Sequence, residues 1–496
     1  MLPLSLYSID LISDDLLLLA SVLVFFAIMS TKIGTRFGVP SLLLFLILGM
    51  VFGADGLGLK FEDYELAESI GHFAMTIILL EGGFSIAYKD IKPVLKQGIL
   101  LSTLGVFLTC LLTGGFIYLF FGQSVGALGS SLVGCLLVAA IMSSTDSASV
   151  FAIIRGKKRR LKHNLAPMLE LESGSNDPMA YLLTILLVKY LTHLQDAGIN
   201  ALALSIASVI AFLLQVGVGL AVGVLVGKGS VWLFKKVKLS STSLYSILVL
   251  SIAFFVNGVA SMLHGNGLLA LYVTALIIGN NASLPQKKDI LKFFDGMTWL
   301  MQLLMFLMLG LLARPSQMPA VALPAVCIAL FMMFLSRPIS VLTCLLPFRK
   351  PFKTKLFTSW VGLKGAGPIL FALTPVVAGL EGSAEIFNIV FVITLLSLVL
   401  QGITIDPLAN KLDLTYEDEK KVETFGLDMP EEMGILRDHL VTAESLERGD
   451  TLRDMHLPHG IRVVMVKREE RFLVPHGSMK LMEGDHLVIV MGESDD

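Results

Sequence analysis

Seven ionisable residues lie inside apolar stretches of this 496-residue sequence, where a charge is expensive. They are Glu81, Asp146, Glu170, Glu172, Asp177, Arg337 and Lys364. A charged side chain at the centre of a bilayer costs at least about 2.5–3.5 kcal/mol on insertion scales. We therefore treat these residues as candidates for a functional site, with structural ion pairs as the alternative.

The densest polar group is the run Glu-Ser-Gly-Ser-Asn-Asp-Pro at 172–178. Ser173 and Asp177 are four residues apart and share one face of a helix. Pro178 has no N–H, so it frees the carbonyl of Gly174. A carboxylate, a hydroxyl and a free carbonyl are oxygen ligands for an alkali cation, and the same carboxylate also binds a proton. Because Asn176 is neutral, one acid titrates here, which indicates one proton per monovalent cation; a capped helix start is the structural alternative.

Two other polar interruptions accompany this run. Residues 143–149 read Ser-Ser-Thr-Asp-Ser-Ala-Ser, and residues 362–368 read Gly-Leu-Lys-Gly-Ala-Gly-Pro. Both interrupt apolar spans, and paired broken helices in corresponding halves point to the central site of a transporter. Asp146 would neutralise helix N-termini and Lys364 helix C-termini, a role we favour over direct chemistry.

We interpret most of the remaining candidates as residues that support the structure of the site. A buried arginine needs a carboxylate, so Arg337 and Glu172 are expected to pair and to brace the sixth helix. Glu81 is ambiguous between the cation path and its cytoplasmic mouth. Gly219, Gly223 and Gly227 recur every four residues, which indicates close helix packing.

The elements that position these residues are membrane helices. The sequence is 55% hydrophobic and 16% charged, against about 45–50% and about 25% in soluble domains. At roughly 20 apolar residues per crossing, residues 1–410 hold thirteen spans. They centre near Leu23, Leu46, Ile77, Leu108, Val138, Leu182, Val218, Ile252, Ala275, Phe306, Ala329, Leu370 and Ile393.

Loop charge predicts the orientation of these spans. Alternate loops hold 22 lysines and arginines, and the opposite side holds only Lys60, Lys189 and Arg314. Positive loops stay in the cytoplasm. An odd number of helices therefore places the N-terminus outside and the C-terminal region inside.

The last 86 residues differ in composition, with 31 charged residues against 47 in the first 410. We expect a linker at 411–432 and a small soluble α/β domain at 433–496. Its strands are predicted at 461–466, 471–475 and 486–491, together with one or two short helices. It lacks a dinucleotide-binding glycine motif.

Taken together, these motifs resemble the bacterial NhaP-type branch of the monovalent cation/proton antiporters. The resemblance covers residues 10–410 and rests on Ser-Thr-Asp at 144–146, the run at 172–178, Ser-Arg-Pro at 336–338 and Gly-Leu-Lys-Gly-Ala at 362–366. The C-terminal region is similar to the C-terminal subdomain of potassium-transport regulatory (RCK_C or TrkA_C) modules.

The resemblance implies inverted repeats, two broken helices that cross at mid-membrane, and a homodimer with a moving six-helix core. It implies that Asp177 binds cation and proton in competition, that Thr145 (backbone) and Ser173 contribute ligands, and that Asn176 supports the site. It also implies that Glu172 pairs with Arg337. Lys364 departs from the family, where Arg is common, so any bidentate contact is in doubt.

We therefore expect an electroneutral K⁺/H⁺ antiporter of a bacterial inner membrane, with Na⁺/H⁺ exchange as the alternative. We expect no cofactor beyond the transported K⁺ or Na⁺ and H⁺, and no nucleic acid. The C-terminal domain is a candidate binding site for a small regulatory ligand. The other classes are a regulated cation channel, a proton-coupled solute symporter, and an intramembrane aspartyl protease using Asp146 and Asp177. The filter signature of potassium channels and the protease signatures are absent from the sequence.

Overall fold

The computed structural model divides the chain into two compact units, Met1–Tyr416 and Glu417–Asp496. It describes residues 14–37, 40–122, 127–156, 159–194, 201–281, 284, 287–417, 436–441, 446, 450–454, 461–468 and 471–491.

The described part of the first unit is helical. Its first half contains α1 (Asp14–Phe37), α2 (Ser41–Phe52), α3 (Tyr64–Ser85), α4 (Tyr88–Ile91), α5 (Leu95–Leu100), α6 (Val106–Phe121), α7 (Leu132–Ile141), α8 (Ser147–Gly156) and α9 (Leu165–Leu194). The rest contains α10 (Ala201–Lys236), α11 (Thr242–Met262), α12 (Gly267–Gly279), α13 (Lys287–Leu312), α14 (Met318–Phe331), α15 (Arg337–Cys344), α16 (Phe352–Trp360), α17 (Ala366–Phe371), α18 (Leu373–Val377) and α19 (Ser383–Lys411).

Helical backbone lies at each predicted span centre. Six described helices are long and apolar enough to cross a membrane: 88–121, 203–236, 243–262, 287–312, 315–344 and 383–411. Five shorter apolar helices accompany them, at 20–32, 41–52, 132–141, 267–279 and 366–377. The chain is a helical membrane protein; the number thirteen and the inverted repeats stay predictions.

Local sequence sets several of these helix ends. Asp63, Ser131 and Asn266 precede α3, α7 and α12, and each side chain accepts a hydrogen bond from the amide three residues on, at 2.9–3.0 Å. Such caps satisfy donors that have no partner inside the helix. Inside a membrane, a backbone N–H of the first turn that lacks such a cap would stay unsatisfied, so these residues favour a helix that begins at this position.

The helices pack in two groups. The first consists of α1–α3 and α10–α13, which pack mainly on one another, and the second consists of α5–α9 and α14–α19. The predicted glycine packing is present in the first group: added Cβ atoms at Gly219 and Gly223 would lie 2.8 Å and 2.7 Å from backbone oxygens of α12 and its cap. Contacts between the groups are fewer, and they include the residues described below.

The end of the first unit lies within the predicted linker. Leu414 is buried, and its carbonyl accepts a 2.8 Å hydrogen bond from the amide of Lys162. Asp413 forms a 2.8 Å salt bridge with the Lys162 side chain. Residues 411–416 therefore pack against the helices, while 418–432 lie outside the described residues.

The second unit contains a four-stranded antiparallel sheet. Its strands are β3 (Leu436–Leu440), β4 (Ile461–Arg468), β5 (Arg471–Leu473) and β6 (His486–Met491), in the spatial order β3-β6-β4-β5; β1 (Arg159–Leu161) and β2 (Thr415–Glu417) precede them in the chain. Strands β4, β5 and β6 fall at the predicted positions, whereas β3 was not predicted. The predicted short helices have no assigned positions; among the described residues of this unit, Leu446 alone is helical.

A buried ion pair stabilises this sheet. Asp485 is 1% exposed and accepts two hydrogen bonds from the Arg468 guanidinium, at 2.9 Å and 2.8 Å, and one from the Met482 amide at 2.8 Å. Burial raises the pKa of Asp485, but these hydrogen bonds outweigh it, so the pKa lies below its usual value. The carboxylate form therefore favours the folded sheet.

We expect Asp485→Asn to destabilise the sheet by about 1.5–3 kcal/mol, because it removes the buried carboxylate that accepts two hydrogen bonds from Arg468. Faster hydrogen exchange at β6 amides in the full chain would measure the loss. In the unmodified chain, this stabilisation should be full above about pH 4 and should vanish as the pH falls through the lowered pKa. Unchanged exchange in Asp485→Asn would contradict the assignment.

Candidate cation and proton site

Two interrupted helices meet in the second helix group. Residues 142–146 separate α7 from α8, and residues 361–365 separate α16 from α17. The amide of Asp146 donates a 2.8 Å hydrogen bond to the carbonyl of Leu363. An added Cβ at Gly365 would lie 2.5 Å from Asp146 Oδ2, so this position requires glycine for the two segments to meet.

Charged side chains lie at two of the four helix ends of this crossing. Lys364 is buried, and its Nζ donates a 2.8 Å hydrogen bond to the carbonyl of Ser144, just beyond the C-terminus of α7. Asp146 accepts hydrogen bonds from the amide and hydroxyl of Ser149, at 3.2 Å and 2.5 Å, in the first turn of α8. Because helix ends carry about half a charge each, each side chain lies where its sign is favourable.

Asp177 lies in α9, beside the crossing. The Ser144 hydroxyl lies next to it, and Asp146 and Lys364 are the charged groups nearby. Its Oδ1 lies 3.6 Å from where a Cβ would stand at Gly367. As a whole residue, Asp177 is half-buried.

The oxygens expected to bind a cation are hydrogen-bonded to one another. Ser173 Oγ donates to the carbonyl of Thr145 at 2.9 Å, and Asn176 Nδ2 donates to Thr145 Oγ1 at 2.5 Å. The Ser147 amide donates to Ser173 Oγ at 3.1 Å. Each of these oxygens keeps a second lone pair. The hydrogen bonds fasten the α7–α8 break to α9 and hold Asp177 next to it.

The side chain of Asn176 also contains a polar atom that the hydrogen bonds above do not use. Its side chain is fully buried, and among the described residues its Oδ1 has no hydrogen-bond partner. A buried amide oxygen without a donor is costly. This oxygen is therefore available to a hydrated or partly dehydrated cation, and the donor set of carboxylate, carbonyl, hydroxyl and amide oxygens suits a monovalent metal ion.

Glu172 and Arg337 form a salt bridge between α9 and α15. Both are buried, with 1% and 5% exposure. Gly362 packs against the arginine, because an added Cβ there would lie 3.0 Å from its Nε. The pair therefore joins α9 to the second interrupted helix, which is the bracing position that the sequence predicts.

Glu81 lies in α3, in the first helix group. Gly83, two residues on, packs against Tyr272 of α12, and the Tyr272 ring packs against Gly174 of α9. Glu81 itself is partly buried. Its role in the cation path or at its mouth stays a prediction.

Sequence reasoning missed several residues around Asp177. Asn266 caps α12 and donates a 2.8 Å hydrogen bond to the carbonyl of Pro178. The signal was the polar stretch His-Gly-Asn-Gly at 264–267, between two apolar spans. Ser144 belongs to the polar run at 143–149, but the sequence does not indicate that it lies next to Asp177. Nothing in the sequence pairs Tyr272 with Gly174.

Two interrupted helices that cross beside a half-buried aspartate are typical of an ion-coupled secondary transporter. The comparisons agree: residues 21–411 match the transmembrane family "sodium/hydrogen exchanger", and residues 436–495 match the TrkA-C domain. The chain belongs to the sodium/hydrogen exchanger family, whose members are antiporters and not enzymes.

Curated relatives resemble nearly the whole chain. The K⁺/H⁺ antiporter NhaP of Alkalimonas amylolytica is 38% identical over 97% of this chain and 81% of its own length. The K⁺/H⁺ antiporter NhaP2 of Shewanella oneidensis is 34% identical over 96% and 81%. Among solved structures, the sodium proton antiporter MjNhaP1 of Methanocaldococcus jannaschii has a TM-score of 0.67 at 24% identity, covering 79% of this chain and 97% of its own. That likeness supports the fold.

We expect Arg337→Ala to destabilise the protein by about 3–5 kcal/mol, because Glu172 would remain as a buried, unpaired charge. The double variant Arg337→Met, Glu172→Gln removes both charges and should recover most of the loss. Melting temperature in detergent, followed by size-exclusion chromatography, measures both effects.

The exposed pair Arg314–Glu62, at 2.7 Å, provides the control. Arg314→Ala should change the melting temperature little, because exposed pairs contribute little to stability. Equal losses for Arg337→Ala and Arg314→Ala, or no recovery in the double variant, would contradict a buried brace.

Proposed function

We propose that this chain exchanges a monovalent cation, K⁺ in preference to Na⁺, for H⁺ by alternating access, with both ions competing for Asp177. One observation carries the proposal: the half-buried Asp177 lies beside the crossing of two interrupted helices, next to hydroxyl, carbonyl and amide oxygens. The relatives named K⁺/H⁺ antiporters support the preference for K⁺.

The exchange cycle follows from the chemistry of one carboxylate. On one side of the membrane Asp177 releases its proton and takes a cation, with ligands from Ser173 and the Thr145 carbonyl. On the other side the cation leaves and a proton returns. Because Asn176 is neutral, the Asn176–Asp177 pair has no net charge with either a proton or a monovalent cation bound, so exchange is electroneutral at one proton per cation.

Supporting roles follow from the contacts. Lys364 and Asp146 neutralise the helix ends at the crossing, and Asn176 holds the α7–α8 break against α9. Binding of a proton or a cation to Asp177 therefore leaves the charges at the helix ends unchanged. The second helix group, which contains all of these residues, moves as a body relative to the first.

The setting of this exchange is also part of the proposal. We infer a homodimer in a bacterial inner membrane, with the N-terminus outside and the C-terminal domain in the cytoplasm, as loop charge indicates. Residues 1–410 form the exchanger, 411–432 the linker, and 433–496 a regulatory domain that takes a small ligand. No cofactor is required beyond the transported ions.

We expect Asp177→Asn to abolish cation-dependent proton release in everted vesicles, because an amide does not release or bind a proton near neutral pH. Asp177→Glu should retain part of the activity with altered cation affinity. A pH-sensitive dye measures the exchange, and size-exclusion chromatography checks the fold.

Asp413→Asn provides the matched control, because this carboxylate pairs with Lys162 outside the site. It should exchange like the unmodified chain. Full activity in Asp177→Asn would refute the assigned role of Asp177.

We expect K⁺ to dequench the dye at lower concentration than Na⁺, with NH₄⁺ as a third test. The same series with the chain ended after Glu417 tests regulation by the C-terminal domain. This end point keeps Asp413 and Leu414, which pack against the helices. A stronger response to Na⁺ would favour a Na⁺/H⁺ antiporter, and cation flux without proton movement would favour a channel.

A further inference from the structure

Polar residues recur on one face of α3. Tyr64, Glu68 and His72 are each four residues apart, so they line up along the same side of the helix. Much of the later helix is apolar, reading Phe-Ala-Met-Thr-Ile-Ile-Leu-Leu from residue 73. This polar face does not belong to the cation site described above, and it lies in the first helix group.

Two residues of the second helix group contact this face. Glu68 Oε1 accepts a 2.8 Å hydrogen bond from the hydroxyl of Thr374 in α18. His72 Nε2 lies 2.9 Å from the hydroxyl of Tyr181 in α9, with the ring centroids 4.8 Å apart. Glu68 and His72 are themselves 3.9 Å apart. The four side chains therefore join the two helix groups through hydrogen bonds.

This cluster lies one helical turn from Asp177. Tyr181 follows Asp177 by four residues in α9, so both lie on one face. On α3, Met75 follows His72 by three residues, and its Cε lies 3.5 Å from the Cβ position of Gly367, which is 3.6 Å from Asp177 Oδ1. Moving along α3, the order is Glu68, His72 and then Met75, with Met75 beside the site.

An open crevice lies on the far side of the cluster. Its volume is about 140 Å³, and its lining comes from both helix groups: Tyr64, Leu312, Arg314, Gln317, Val376 and Asn388 are among the lining residues. Tyr64 is one turn before Glu68, and Val376 is two residues after Thr374. At about 30 Å³ per water, the crevice holds several waters. The next residues inward, Glu68 and Thr374, are hydrogen-bonded to each other across the boundary between the helix groups.

We propose that Glu68, His72, Tyr181 and Thr374 form a gate that closes the route from this crevice to Asp177 and opens when the two helix groups separate. The gate rests on the proposed alternating access. Hydrogen bonds to water would replace those across the boundary on opening, so the gate opens without leaving buried polar groups unsatisfied. Glu68, one turn inward from Tyr64, then offers its carboxylate to a cation that enters from the crevice.

The gate lies on the side that loop charge places outside. Tyr64 and Arg314 lie at the ends of α3 and α13 that flank the cation-poor loops, which contain Lys60 and Arg314. The membrane-impermeant reagent in the test below is therefore applied to right-side-out vesicles. Everted vesicles show whether the route opens to the other face.

Cysteine labelling tests the gate in the full chain. Cys110, Cys135, Cys327 and Cys344 are first replaced by serine or alanine. Met75→Cys then probes the site side of the gate and Val376→Cys the crevice side. We expect a membrane-impermeant maleimide to react with Val376→Cys and to leave Met75→Cys largely unreacted.

Variants that open the gate should expose Met75→Cys to the maleimide. Tyr181→Phe removes the hydroxyl but keeps the ring contact with Phe371, and it should raise the Met75→Cys labelling rate at least about fivefold without changing Val376→Cys. His72→Ala should do the same, whereas His72→Gln, which still hydrogen-bonds, should keep the shielding. Tyr245→Phe, whose hydroxyl bonds to the Leu239 amide at 3.0 Å, is the control and should change neither rate.

Two results would overturn the gate: equal labelling of both probes in the parent, or no change at Met75→Cys in Tyr181→Phe and His72→Ala. Labelling from everted vesicles alone would overturn its assignment to the outer side. Labelling does not depend on transport, so Asp177→Asn separates the two proposals. If that variant still exchanges ions while Tyr181→Phe exposes Met75→Cys, the gate stands and the role of Asp177 falls.

Discussion

A charge or a helix end buried away from water must find a compensating charge, and the arrangement of the site follows from that constraint. Breaking two helices inside the second group leaves four helix ends with unsatisfied backbone groups. Lys364 bonds to the carbonyl of Ser144 after one end, and Asp146 bonds to Ser149 at the start of another. Asp146 caps its own helix, whereas Lys364 reaches the end of α7 because the two breaks meet, with the Asp146 amide on the Leu363 carbonyl.

Asp177 depends on this arrangement without being part of it. The backbone of α9 carries the carboxylate, and Asn176 and Ser173 tie that helix to the first break through Thr145. The carboxylate therefore keeps its place when its occupant changes. Because the compensation of helix ends is separate, a proton or a cation at Asp177 alters one local charge, and this separation suits an electroneutral exchange between two states of the same framework.

The sequence predicts most of this site because polar residues inside apolar spans are rare and each needs a reason. The runs at 172–178, 143–149 and 362–368 stand out for that reason, and so does the Glu172–Arg337 pair. Contacts between distant helices leave no such signal: nothing in the sequence pairs His72 with Tyr181 or Asn266 with Pro178. In the C-terminal unit, β3 reads Leu-Arg-Asp-His-Leu and lacks an alternating apolar pattern, so its place beside β6 comes from pairing that only the fold supplies.

The central claim is that one carboxylate holds either a cation or a proton. The most direct measurement is proton release from purified protein in weakly buffered detergent solution on addition of K⁺, combined with cation binding by calorimetry. The account predicts one proton released for each cation bound, and neither proton release nor binding in Asp177→Asn. Cation binding without proton release, or release that persists in Asp177→Asn, would contradict it.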